Sequence, residues 1–145
     1  MSHTHSHNLL HCVFSTKDRL PLIRDPEALW PYTVGLADNK GIHVVAAGGT
    51  TNHAHLLILL PQTIALAKAM QEIKANTSRW LRETSRIFQW QEGYGAFSVS
   101  HSQREAVVKY IANQVEHHNR RSYEHEFVAL LRKSGVNYDP RFVFG

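Results

Sequence analysis

Residues 53–60, His-Ala-His-Leu-Leu-Ile-Leu-Leu, constrain the fold more than any other stretch of this chain. After its two histidines the run is continuously apolar, the pattern of a central, buried strand. Residues i and i+2 of a strand share a face, so His53 and His55 project the same way. Both rings could then grip one divalent ion. Taken alone, two surface histidines at the start of a strand explain the pair equally well. The apolar setting favours a shared task, because burying unpaired imidazoles is costly.

The rest of the chain supplies partners for that strand. Residues 9–15 alternate, with Leu10, Cys12 and Phe14 on one face and His11 and Val13 on the other. A basic, proline-containing loop follows, and Asp25-Pro26 then supplies a cap and a first-turn proline for a helix reaching about Asn39, with Gly41 ending it. Pro31 weakens the first turns of that helix. Residues 42–47 form a second strand, and 48–52 turn the chain into the strand with the histidines. Thr63 is placed to cap a long helix whose buried side carries Leu66, Met70, Ile73, Thr77, Trp80 and Leu81. An aromatic connection over 87–94 leads to a fourth strand at 96–100. Ser102-Gln103-Arg104-Glu105 has the form of a capping box opening a helix to about His118. Ser122 caps a last helix with Phe127, Leu130 and Leu131 inside and Gly135 at its end. This order predicts an α+β, ferredoxin-like (split βαβ) fold: an antiparallel sheet with helices on one face, followed by C-terminal helices. Residues 1–145 form a single domain, with 1–7 expected as a flexible tail. Many functions use this fold, so function must come from the site.

The net charge of +4 and a pI near 9.4 favour an anionic partner such as nucleic acid. No apolar run approaches the roughly 18–20 residues that span a bilayer. The polar start, Met1 to His7, has no secretory character, and the single cysteine, Cys12, has no internal partner, so a cytoplasmic location is expected. Eleven histidines are many for this length. Three of them, His3, His5 and His7, alternate in the tail, as suits a metal or simply an unstructured terminus.

On the helix that ends near His118, Tyr110, Gln114 and His117 fall within roughly 60° of arc. Val107, Ile111 and Val115 form an adjoining apolar stripe. One side therefore packs on the core while its neighbour presents a phenol, an amide and an imidazole. Alone, that edge is also what a half-buried tyrosine on a polar helix looks like. Combined with His53 and His55 it makes a coherent site. A hard divalent cation, Mg²⁺ or Mn²⁺, accepts imidazole nitrogen and amide oxygen and acts as a Lewis acid on a phosphodiester. A phenol, with an ordinary pKa of about 10, needs such help to become a nucleophile.

Four blocks carry a family resemblance over nearly the whole chain: His11-Cys12-Val13-Phe14-Ser15-Thr16-Lys17; Asn52-His53-Ala54-His55-Leu56-Leu57; Trp90-Gln91-Glu92-Gly93-Tyr94-Gly95-Ala96-Phe97-Ser98; and Tyr110-Ile111-Ala112-Asn113-Gln114 with Glu116-His117-His118. In this order they resemble the HUH-type single-tyrosine transposases of bacterial insertion sequences, including the REP-associated tyrosine transposases. The resemblance implies a DNA transposase that cleaves and rejoins single-stranded DNA through a 5′-phosphotyrosine bond. It makes Tyr110 the nucleophile and His53, His55 and Gln114 the metal ligands, with His117 a substitute on the same face. It also implies a hairpin in the DNA and a homodimer with composite sites, each pairing the histidines of one chain with Tyr110 of the other. The family usually has a bulky apolar residue where this chain has Ala54, which points away from the metal.

For the DNA, Lys17, Arg19, Lys68, Lys74, Arg79, Arg82, Arg104, Lys109 and Arg120 are candidate phosphate contacts, and Trp90 and Tyr94 are candidate stacking platforms. Trp80 fits the core better. Two other functions compete: a non-catalytic nucleic-acid-binding module, which would not need Tyr110, and a metal-dependent phosphodiesterase using water, which would turn over without a protein–DNA adduct.

Overall fold

A computed structural model describes residues 3–144. Strand β1 (Leu9–Ser15) is followed by α1 (Pro26–Asn39), β2 (His43–Gly49), β3 (His53–Leu59), α2 (Leu66–Arg82) and β4 (Gly95–Ser98). Three helices close the chain: α3 (Arg104–Ala112), α4 (Gln114–His118) and α5 (Tyr123–Lys133). The four strands form one sheet in the order β2-β3-β1-β4, and every neighbouring pair is antiparallel. This is the ferredoxin-like arrangement expected. Residues 3–8 of the tail are exposed and lie outside any element, and residues 1–2 lie outside the described residues. Among the described residues no helix is long and apolar enough to cross a membrane.

The two faces of the sheet are covered differently. Leu10, Cys12 and Phe14 of β1 and Ala54, Leu56 and Ile58 of β3 pack against Leu29, Trp30 and Ala37 of α1 and Ala69, Met70 and Ile73 of α2. On the opposite face Leu9 and Leu57 meet Ile111 of α3, while Val13 and Phe97 meet Tyr123, Phe127 and Leu131 of α5. The C-terminal helices thus fold back over the second face, which explains why β3 is apolar on both sides. His11, His53 and His55 belong to this second face, between the two smaller apolar clusters.

Several local expectations change in detail. The Asp25 carboxylate caps α1 through the Ala28 amide at 3.3 Å, and Pro31 is accommodated within the helix. Ser122 caps α5 through the His125 amide at 3.2 Å. Thr63 is not a cap: α2 begins at Leu66, with Ala65 preceding it. The Ser102–Glu105 capping box is also absent. A single 3-10 turn at 101–103 leads into α3, and the Ser102 hydroxyl pairs with Ser100 instead. The expected continuous helix to His118 is broken at Asn113, whose φ of −100° and ψ of 22° separate α3 from α4.

Candidate active site

The site is built outward from β3. His53 and His55 are fully buried, and each has its Nδ1 engaged. His53 Nδ1 lies 2.8 Å from Asn52 Oδ1 and 3.0 Å from Thr50 Oγ1. His55 Nδ1 lies 2.8 Å from Nε2 of His11, which β1 carries on the same face. An amide oxygen only accepts, so Nδ1 of His53 donates the proton. Burial, reinforced by the field of His55, lowers the pKa of both His11 and His53 to about 3, so both rings are neutral at neutral pH. Such contacts fix the ring orientation and leave Nε2 of each β3 histidine turned toward one point, the arrangement typical of metal-ligating imidazoles.

Three further elements reach that point. Gln114, at the start of α4, is buried with Oε1 3.0 Å from His53 Nε2. Glu126, in the middle of α5, is 1 % exposed; its Oε1 lies 3.0 Å from His55 Nε2, 3.0 Å from His118 Nε2 and 3.7 Å from His53 Nε2. The Tyr110 hydroxyl, near the end of α3, donates to Glu126 Oε2. His117 stands at the periphery, its Nε2 3.5 Å from the Tyr110 hydroxyl and 3.4 Å from Glu126 Oε2. Donor atoms of His53, His55, His118 and Glu126 all lie within 4.8 Å of one another, close enough to hold one metal ion. Neighbouring donors about 3 Å apart match the edge of an octahedron with bonds of about 2.1 Å. The residues therefore fit a divalent cation.

Burial alone would raise the pKa of Glu126, but hydrogen bonds from His118, His55 and Tyr110 and the field of His55 hold it far below the ordinary carboxylate range. Burial pushes the Tyr110 phenol up, and its bond to the ionised Glu126 pushes it further, so the hydroxyl keeps its proton in the resting site. Beside Tyr110 a cleft of about 860 Å³ opens between β4, α3 and α5, with Arg121 and Lys133 among its lining residues. A second cleft, of about 590 Å³, lies beyond His118 and is lined by Arg19, Asn52 and Arg121.

All the site residues expected from sequence, Tyr110, His53, His55, Gln114 and His117, come together. Within one chain the tyrosine already meets the histidines, with its hydroxyl on the same Glu126 carboxylate that faces His55. The connection at 99–103 is short, and α3 returns over its own β2 and β3. There the backbone of Ile111 approaches so closely that a Cβ on Gly48 would lie 2.5 Å from the Ile111 carbonyl oxygen. Glu126, His118 and His11 were not identified from sequence. For Glu126 a signal existed: an acidic residue on the inward stripe formed by Tyr123, Phe127 and Leu131.

The basic residues divide. Lys74 donates to the carbonyls of Gln91 and Gly93, both at 2.8 Å, and Arg82 to that of Phe88 at 3.0 Å, so both brace the loop before β4. Lys68 pairs with Glu72 and Arg79 with Asn76 along α2. Helix α2 packs on the face of the sheet opposite Tyr110. Arg19 donates to the carbonyl of Phe144. Arg104 and Lys109 belong to α3, which packs on the Tyr110 face of the sheet, and Arg120 lies just before α5. Trp80 stacks on Tyr32 at 4.3 Å, and Trp90 is buried with its indole N–H on Thr77. Neither is free to stack on a base, whereas Tyr94 is exposed.

The family model for IS200-like transposases matches residues 4–114. No curated protein matches the sequence. Among solved structures, a protein from Deinococcus radiodurans R1 assigned to the transposases superposes with a TM-score of 0.63 at 19 % identity, covering 79 % of this chain and 95 % of its own. A REP-associated tyrosine transposase bound to a REP hairpin superposes with a TM-score of 0.59 at 16 % identity, covering 81 % and 74 % respectively. At these identities the likeness speaks for the fold. The family match spans three quarters of the chain, from the tail through His53, His55 and Tyr110 to Gln114, and this protein belongs to the IS200-like transposase family.

Proposed function

We propose that this transposase cleaves and rejoins single-stranded DNA in cis, through a 5′-phosphotyrosine bond formed by Tyr110. The observation that carries the proposal is the convergence of Tyr110 with two oriented imidazoles, an amide and a carboxylate within one chain, with Tyr110 and Glu126 lining an open cleft. The phenol oxygen gives up its proton and attacks phosphorus, the P–O3′ bond breaks, a proton taken up at O3′ leaves a free 3′-hydroxyl, and the 5′-phosphate stays on Tyr110. A 3′-hydroxyl from another strand end can reverse the step, because the ester bond energy is retained. A divalent ion, Mg²⁺ or Mn²⁺, held by His53, His55 and Gln114 would supply Lewis-acid stabilisation of the charge developing on the phosphate oxygens. Asn52, Thr50 and His11 keep the two imidazoles turned toward that position. Glu126 holds the Tyr110 hydroxyl in the cleft. Arg104, Lys109, Arg120 and Arg121 supply positive charge along the path a strand would take past Tyr110, and Tyr94 is the aromatic left for stacking. The hairpin held by the REP-associated relative supports a substrate in which a hairpin flanks the cleaved strand. The resemblance also implies a homodimer; it would then carry two complete sites.

The test is a covalent adduct. Incubated with hairpin-bearing single-stranded DNA and Mn²⁺, the wild type should yield a protein–DNA species that survives denaturation. Tyr110→Phe should yield none, with DNA affinity nearly unchanged. Cleavage without an adduct would instead identify a water-using phosphodiesterase. Mixing inactive His55→Ala with inactive Tyr110→Phe protein, with subunit exchange verified, should restore nothing if each site lies in one chain.

A further inference from the structure

Glu126 lies on α5, beyond the residues matched by the family model. It is a carboxylate on the inward face of a helix, between Tyr123 and Phe127, with almost no access to solvent. A buried carboxylate needs a compensating cation. Among the described residues its ion-pair partners are all imidazoles: His53, His55, His117 and His118. Nδ1 of His53 donates to the Asn52 amide oxygen, so its Nε2 presents a lone pair. That lone pair faces the Gln114 amide oxygen at 3.0 Å and Glu126 Oε1 at 3.7 Å. Acceptors packed this closely against acceptors repel unless a cation lies among them.

We propose that Glu126 is itself a ligand of the divalent ion through Oε1, while its Oε2 positions the Tyr110 hydroxyl. The inference rests on the proposal above that the site holds such an ion. It splits the metal centre between two parts of the chain: the sheet supplies His53 and His55, and the C-terminal helix supplies the negative charge. One carboxylate then sets both the metal and the nucleophile, and α5 is fixed to the sheet when the ion binds. His118, 3.0 Å from the same oxygen, holds the carboxylate in place.

The experiment measures Mn²⁺ binding to metal-free protein without DNA, by the loss of the free-ion electron paramagnetic resonance signal. Variants are Glu126→Gln, Gln114→Ala and His55→Ala, with circular dichroism to verify folding. Glu126→Gln, nearly isosteric, should raise the Kd at least tenfold and by more than Gln114→Ala does. An affinity within twofold of wild type, with His55→Ala defective, overturns the role of Glu126 and leaves the metal proposal standing. No binding by the wild type overturns both. A second measurement needs no variant. Mn²⁺ should slow amide hydrogen exchange across residues 123–133 as well as β3, and protection of β3 alone would also overturn the inference.

Discussion

Gly48→Ala should separate the fold from the chemistry. A Cβ on Gly48 would sit 2.5 Å from the Ile111 carbonyl oxygen and 3.0 Å from Ile111 Cγ2. The nearer atom is backbone, so no rotamer change can relieve the contact. Restoring an acceptable separation of 3.0–3.4 Å requires α3 to move outward by about 0.5–0.9 Å. Overpacking of this kind costs about 1–3 kcal/mol, or roughly 3–12 °C in Tm for a chain of this size. The larger effect should fall on the reaction. Ile111 is next to Tyr110, so the phenol moves with the helix, and a misplacement near 1 Å can cost on the order of 100-fold in rate. Covalent-adduct formation should therefore fall about 10- to 100-fold, while Mn²⁺ affinity, whose proposed ligands lie on β3, α4 and α5 rather than on α3, falls less. Gly35→Ala is the control: it lies exposed within α1 with nothing within 4 Å of its added Cβ. It should leave the adduct rate unchanged and stabilise the protein by up to about 1 kcal/mol. A Gly48→Ala protein with wild-type Tm and wild-type adduct rate would refute the close approach of α3 to β2.

His11→Phe keeps a ring in the same place but removes the partner of His55 Nδ1, and should weaken Mn²⁺ binding by about 10- to 100-fold; unchanged affinity would show that His55 is oriented without it. The metal-free protein should lose stability on acidification. Burial holds His11 and His53 near pKa 3 when folded, whereas both protonate below about 6.5 when unfolded. Their contribution is fully present above pH 6.5 and falls as the pH drops toward 3, by roughly 3 kcal/mol for the pair between pH 7.5 and 5.5. Urea midpoints at those two pH values measure it, and a midpoint that rises on acidification would show that the imidazoles are charged in the fold.

The sheet was legible because alternation in β1 and the unbroken apolar run of β3 survive any tertiary context. The covering of the second face was not, since α3 and α5 carry narrow apolar stripes that do not say which surface they meet. Tyr110 and Gln114 could be paired because they lie four residues apart on one helical edge, and the break at Asn113 does not separate them. Their meeting with His53 and His55 was argued from shared chemistry and from the family resemblance, and the close approach of α3 to β2 at Gly48 is what brings it about within one chain. His11 could be placed on a face but not beside His55. That neighbourhood depends on the β1–β3 register, in which Val13 pairs with His55. Glu126 stayed hidden for a related reason: a helix stripe shows that a residue is buried, not what it is buried against.

The width of the site is set at its two edges. Gly48 on β2 pairs with His55 across the sheet, and Gly95 on β4 pairs with Val13. A Cβ on Gly95 would lie 2.7 Å from Phe127 Cε2, one residue beyond Glu126. Each glycine thus lets one C-terminal helix settle against the sheet, α3 with its phenol and α5 with its carboxylate. The two helices meet over β1 and β3, where the Tyr110–Glu126 hydrogen bond closes the gap between them. Their anchors differ in stiffness. At Gly48 the contact is backbone to backbone, whereas at Gly95 it is the ring edge of Phe127, which can turn. The Tyr110 phenol is therefore held on the rigid side and the Glu126 carboxylate on the compliant side. That division suits the proposed reaction, in which the carboxylate would adjust to an incoming ion while the phenol oxygen keeps its line of attack.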